Sequence, residues 1–155
     1  MKLLSQFLPP ENVLLDVAVT SKKRALEQAS LLFENHQGLE RAQVFDSLFA
    51  RERLGSTGLG HGVAVPHGRI NKINKPLAAF MRLARPVTFD APDNQPVDIL
   101  LVLVVPQEAT QQHLDILAEV AQSLSDESVI EVLRKETDAT RVHKVLTAAN
   151  AATPD

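Results

Sequence analysis

Apolar positions recur along the chain with two periods, and the segments that carry them alternate. Residues 12–19, NVLLDVAV, are apolar and rich in Val, which predicts a first strand. Thr20 or Ser21 then offers a helix cap, and Ala25, Leu26, Ala29, Leu32 and Phe33 recur at helical spacing until Gly38, a candidate left-handed cap. A second helix from Glu40 to Arg53 places Val44, Phe45, Leu48 and Phe49 on one face. After a glycine-rich stretch, Leu77 to Leu83 reads as a strand that Arg85-Pro86 interrupts, and Asp90 to Pro96 as a turn cluster. Val97 to Val105 is an almost unbroken branched run, the pattern of a central strand buried on both faces, and Pro106 ends it.

A helix from Thr110 to Leu124 turns Leu114, Leu117, Val120, Ala121 and Leu124 inward, and shorter helical patterns follow over Val129–Lys135 and Ala139–Ala148. Residues 150–155 read as a frayed tail. Strands alternating with helices predict an α/β fold, a single mixed β-sheet covered by helices on both faces. With no internal repeat and no linker, residues 1–155 form a single domain on this reading.

Composition narrows the function. With 45% hydrophobic and 23% charged residues the chain is of the soluble globular class. Its net charge is −3, its basic residues are scattered, and it has neither Trp nor Tyr, so neither electrostatics nor base stacking points to nucleic acid. The absence of cysteine excludes disulfides, thiolate metal sites and cysteine nucleophiles. The longest apolar run, Ile99 to Val105, is too short to insert in a bilayer, and the N-terminus has neither an apolar core nor a cleavage site of the secretory kind. The expected compartment is the cytoplasm.

Five of the six glycines fall in GSTGLGHGVAVPHG, residues 55–68. Glycine permits tight turns and a close approach of bare N–H groups to a ligand, and successive inward N–H groups form an anion nest. Gly58 and Gly68, with the hydroxyls of Ser56 and Thr57, are candidate phosphate-binding groups. A tight surface loop is the plainer reading. The nucleotide-hydrolase loop does not fit, because the segment contains no Lys, and a dinucleotide fingerprint does not fit, because the segment follows a helix and leads into a strand.

Three side chains stand out around this segment. His67 lies between Pro66, which fixes its own backbone, and Gly68, which leaves room for a partner; an imidazole so mounted suits phosphoryl exchange, one nitrogen attacking while the other is held. Arg51, just before the glycines, has a planar fork suited to phosphate oxygens. His113 lies in the first turn of the helix after the central strand and shares a face with Leu117, Val120 and Leu124, so its ring is expected inward or along the core edge. Each also has an ordinary reading: a solvated loop histidine, an arginine paired with Glu52 or Asp46, and a core histidine.

The segment RERLGSTGLGHGVAVPHGRI, Arg51 to Ile70, closely resembles the phosphorylation-site motif of the enzyme IIA proteins of the bacterial phosphoenolpyruvate phosphotransferase system, in the class of the fructose, mannitol and nitrogen-regulatory members. FDAPDNQPVDILLVLVVP and QQHLDILAEVAQSLSD are similar to the next two blocks, and the resemblance runs from about Lys22 to Lys144. The DNQPVD wording, and the lack of a fused transporter or second carrier domain, look most like the nitrogen-regulatory branch; position 61 departs from that branch's pattern, with His in place of Asn. The resemblance implies that His67 is the phosphoryl acceptor, Arg51 the motif arginine and His113 the second active-site histidine. It implies a small phosphohistidine carrier protein as donor, and regulation of transporters and signalling proteins such as sensor kinases in nitrogen and potassium metabolism. Transfer to a sugar transporter, as in the fructose and mannitol branches, is the alternative. No metal or other cofactor is required, since fixed donors can stabilise the transferring group.

Two rivals remain on the residues alone. A metal hydrolase would use His61, His67 and His113, though the chain has no closely spaced helical His pair. The other is a binding module with no covalent chemistry.

Overall fold

The computed structural model describes residues 1 and 3–148; the expected frayed tail, 150–155, lies outside them. After two short 3-10 turns the chain forms β1 (Val13–Val17), α1 (Lys22–Gln37), α2 (Arg41–Leu54), β2 (Gly58–Gly60), β3 (Val63–Ala64), β4 (His67–Ile70), β5 (Leu77–Val87), β6 (Val97–Pro106), α3 (Gln111–Ser123), α4 (Glu127–Lys135) and α5 (Ala139–Thr147). The sheet order is β1-β5-β6-β3-β2, with β4 also paired to β6. β5 and β6 are antiparallel, whereas β1 runs parallel to β5, and β3 and β4 run parallel to β6, so the sheet is mixed.

β6 is the central strand, and its period of two sorts the core. Ile99, Leu101 and Leu103 pack with Ile116, Val120, Leu133, Val142 and Leu146 of α3, α4 and α5. Leu100, Val102 and Val104 pack on the other face with Ala25, Leu26, Phe33, Val44 and Leu48 of α1 and α2. Both faces are therefore covered by helices, which is why the strand has no polar position after Asp98.

Local chemistry sets the element ends. Ser21 caps α1, accepting the Arg24 N–H through its hydroxyl, and Gly38 closes it at φ 69°. Asp126 and Asp138 cap α4 and α5, their carboxylates accepting the Ser128 and Thr140 N–H. β5 runs on past Leu83 to Val87, but its ladder to β6 lapses between Arg82 and Val87, where residues 84–86 are exposed. Arg85-Pro86 interrupts the pairing rather than the extended backbone, as expected for a residue without an N–H on a strand bulge.

Candidate functional site

The glycine-rich segment is three short strands instead of a loop. β2 and β3 form a tight hairpin whose turn residues are His61 and Gly62, both left-handed at φ 56° and 81°. A side chain on Gly62 would run into Arg134 and Asp98, so the turn also packs against α4. β3 and β4 then run along the same side of β6, and the Pro66 carbonyl between them accepts the Leu103 N–H at 2.9 Å. His67 is thus the first residue of a parallel strand opposite Leu103, and is held by a ladder.

Because side chains alternate, His67 and Gly68 face opposite sides of β4. Gly68 meets Ser47 of α2, whose hydroxyl and backbone occupy the space a Cβ would take, while that hydroxyl donates to the Arg69 carbonyl at 2.7 Å. The room beside Gly68 is filled by a helix, which corrects the expectation that it is kept open for a partner. Glycine here brings α2, and with it Arg51, against the strand that carries His67.

His67 is half-buried. Its Nδ1 lies 3.0 Å from the Val65 carbonyl. A carbonyl only accepts, so Nδ1 carries the proton and the lone pair is left on Nε2. Desolvation pushes the imidazole below its usual pKa; the hydrogen bond to Val65 and the charge of Glu52 act upward, and the Arg51 guanidinium downward, with the net shift down. The ring is held as the neutral base, in the tautomer that exposes one nucleophilic nitrogen.

His67 and Arg51 line two cavities together. The larger, about 760 Å³, is also walled by Ala50, Arg53, Leu54, Arg69, Leu114 and Leu117; the smaller, about 250 Å³, by Leu59, Leu117 and Ala121 among others. Arg51 donates to the Gly55 carbonyl at 2.8 Å and, among the described residues, forms no ion pair. The pairing with Glu52 or Asp46 therefore does not form. Three large hydrophobics are exposed among the described residues, and two of them, Leu54 and Leu59, stand at these cavities.

Ser56, Thr57 and Gly58 are placed differently from their expected roles. Ser56 donates to the Phe89 carbonyl and accepts the Gly58 N–H. Thr57 is buried and gives both its N–H and its hydroxyl to Glu52. The hydroxyls of Ser56 and Thr57 and the Gly58 N–H are thus engaged within the segment instead of turned to an anion, which removes the expected nest at these three residues. His113 is half-buried; its Nδ1 closes a capping box with Thr110, and its ring lines neither His67 cavity. His61 is exposed and lines a separate cavity with Glu127, Glu131 and Arg134. His61 therefore stands at a different cavity from His67, and among the described residues no group of three or more His, Asp or Glu could hold a metal ion. No helix among them is long and apolar enough to cross a membrane.

Several functional groups escaped sequence reasoning. Arg53, Leu54 and Arg69 line the larger cavity, and Glu52 anchors the segment from beneath. The available signal was position: three of these four directly follow Arg51 in the sequence.

Residues 6–149 match the family model described as "Phosphoenolpyruvate-dependent sugar phosphotransferase system, EIIA 2". A nitrogen regulatory protein of Pseudomonas aeruginosa is 41% identical over 144 residues, covering 92% of this chain and 94% of that protein. The crystal structure of nitrogen regulatory protein IIA-Ntr from Neisseria meningitidis superposes with a TM-score of 0.89 at 46% identity, covering 94% of this chain and 100% of that one. IIA mannitol from Escherichia coli superposes at 0.75 with 25% identity, over 89% of this chain and 97% of that one.

Proposed function

Since the chain belongs to the EIIA 2 family of the phosphoenolpyruvate-dependent sugar phosphotransferase system, and is a phosphotransferase component, we propose that it accepts a phosphoryl group on Nε2 of His67 and acts chiefly as a nitrogen-regulatory switch. The observation that carries this is the imidazole itself: neutral, fixed by the Val65 carbonyl through Nδ1, and set in a cavity beside the guanidinium of Arg51.

The chemistry follows from those positions. The donor is a small phosphohistidine carrier protein, and the transfer is an in-line exchange between two imidazoles through a loose transition state. His67 supplies the lone pair, and holding it in one tautomer and orientation lowers the barrier through positioning. Arg51 meets the equatorial oxygens, where a planar fork suits the developing charge. His113 accepts the Thr110 N–H through Nδ1, which leaves the proton on Nε2 and makes it a second candidate donor to the oxygens. Exposed Leu54 and Leu59 give a protein donor or target an apolar landing beside the reacting nitrogen.

The regulatory side rests on relatives near 40% identity that are named for nitrogen regulation. Transporters and signalling proteins, sensor kinases included, are the expected targets, and nitrogen and potassium metabolism the expected setting. Onward transfer to a sugar-specific transporter component is the second reading, favoured by the family description's own wording.

Incubation with phosphoenolpyruvate, the upstream enzyme and the carrier should add one phosphoryl group by intact mass, labile to acid and stable to base. His67→Ala should fold and gain none. A fully labelled His67→Ala overturns the assignment, and rapid loss of the label to a fructose- or mannitol-type B component would transfer the case to the sugar branch.

A further inference from the structure

The transfer described above leaves one buried charge unused. Glu52 follows Arg51 on α2 and is only 4% exposed. One residue satisfies both its oxygens: the Thr57 N–H donates to Oε2 at 2.9 Å and the Thr57 hydroxyl to Oε1 at 2.6 Å. The Nζ of Lys22, in the first turn of α1, lies 3.8 Å from Oε2, while it also bonds Asp90 at 3.3 Å and sits over the Phe89 ring. A carboxylate costs a great deal to bury unless it is paired, and a neutral residue could have tied a loop to a helix.

Glu52 connects to the site by a short series of hydrogen bonds. The Thr57 carbonyl accepts the Val65 N–H at 3.0 Å, and the Val65 carbonyl in turn receives Nδ1–H of His67 at 3.0 Å. The carboxylate therefore fixes Thr57, and through it the Val65 carbonyl that fixes the ring. Its charge also reaches the ring: Arg51 and Glu52 act on His67 with opposite sign.

We propose that Glu52 is a positioning residue for the transfer: through Thr57 and Val65 it sets the His67 ring with Nε2 outward, and its negative charge offsets the positive charge the ring takes on. The inference rests on His67 being the acceptor. The lone pair of Nε2 forms a new N–P bond as the N–P bond of the donor phosphohistidine breaks, and that bonding pair returns to the donor imidazole. His67 keeps its proton on Nδ1, so its ring becomes cationic as the phosphoryl group arrives. Arg51 favours the phosphoryl oxygens but opposes a cationic ring. Glu52 restores the balance without touching the phosphate, much as the carboxylate behind a catalytic histidine stabilises an imidazolium.

The test compares the full-length wild type with Glu52→Gln and Lys22→Met, with the phosphorylated carrier protein as donor. In Glu52→Gln the maximal single-turnover rate should fall about tenfold or more, with the donor concentration at half-saturation unchanged, because a buried group does not meet the carrier. The NMR titration midpoint of His67 should move down in Glu52→Gln and up in Lys22→Met, which keeps the Thr57 hydrogen bonds and removes the cation opposing Glu52. A residue that merely clips the segment to α2 would not move the two midpoints in opposite directions. If Glu52→Gln does not fold, Lys22→Met decides alone. Unchanged midpoints in the folded variants, or wild-type transfer by Glu52→Gln, overturn the proposal. Failure of the wild type to be labelled on His67 would instead overturn the acceptor reading.

Discussion

Replacing Arg51 by Ala separates a phosphate clamp from a helix-end ornament. Structurally Arg51 makes one exposed hydrogen bond, to the Gly55 carbonyl, so its loss should cost at most about 1 kcal/mol of stability and leave the fold intact. Its chemical contribution should be much larger. With no ion pair among the described residues to neutralise it, the guanidinium charge is directed at the His67 cavities. A preorganised charge-assisted donor contributes about 2–4 kcal/mol to a transition state, which slows transfer by roughly 10²-fold or more when it is removed. The defect should also depend on pH in a defined sense. Arg51 helps hold the His67 pKa down, so Arg51→Ala raises it, and a larger share of rings is then protonated and non-nucleophilic in mild acid. The deficit should therefore be greater near pH 6 than near pH 8. Arg51→Lys should recover only part of the rate, since an ammonium supplies a point charge without the planar fork. Rapid-quench transfer from the phosphorylated carrier at both pH values is the assay. If Arg51→Ala stays within about threefold of wild type at both, Arg51 is not the clamp.

The depressed pKa of His67 links it to stability: unfolding returns the ring to an ordinary pKa near 6.5 and takes up protons, so the stability it contributes is full above about pH 6.5 and is lost as pH falls through the folded value. Urea midpoints of wild type should thus drop relative to His67→Ala on acidification, and a gap independent of pH would contradict burial as the cause. Arg82, buried on β5, donates to the Leu133 and Glu136 carbonyls at the end of α4. Arg82→Met keeps the stem but leaves those carbonyls without their cation and should cost about 3 kcal/mol by urea unfolding; a loss under about 1 kcal/mol would show that water replaces it. His61 occupies a left-handed turn position before Gly62, where Asn is favoured, so His61→Asn should raise stability by about 0.5 kcal/mol, and an unchanged or lower Tm would refute the turn argument.

Legibility differed by element for physical reasons. Long periodic segments are the legible ones: Ser21, Gly38 and the unbroken run of β6 each carry a strong local signal, and α1, α2 and β6 fall within a residue or two of their expected ends. The glycine segment carries a loop signal because β2, β3 and β4 are two to four residues long, too short for a period to register. One hairpin signal was present, a His-Gly pair between Gly60 and Val63, but the glycines on either side obscured it. Which donors faced outward was not legible at all. Ser56 and Thr57 are donors by composition, and only tertiary structure turns them to Phe89 and Glu52. For His113 the helical face is legible, and only the folded helix end shows that Thr110 engages its Nδ1.

A single histidine can serve both relay and regulation because of what surrounds it. On the proposed reading, the phosphoryl group arrives between an arginine cluster and exposed leucines, adding about two negative charges where the unmodified surface is apolar and cationic. A partner that docks with apolar or acidic groups meets repulsion and a desolvation cost once the group is present, whereas a partner presenting Arg or Lys is drawn in. The rigidity of β4 matters to both outcomes. Because His67 sits on a strand laddered to the most buried segment of the sheet, the added charge is read where it lands, and the surface changes its charge without the strand having to move.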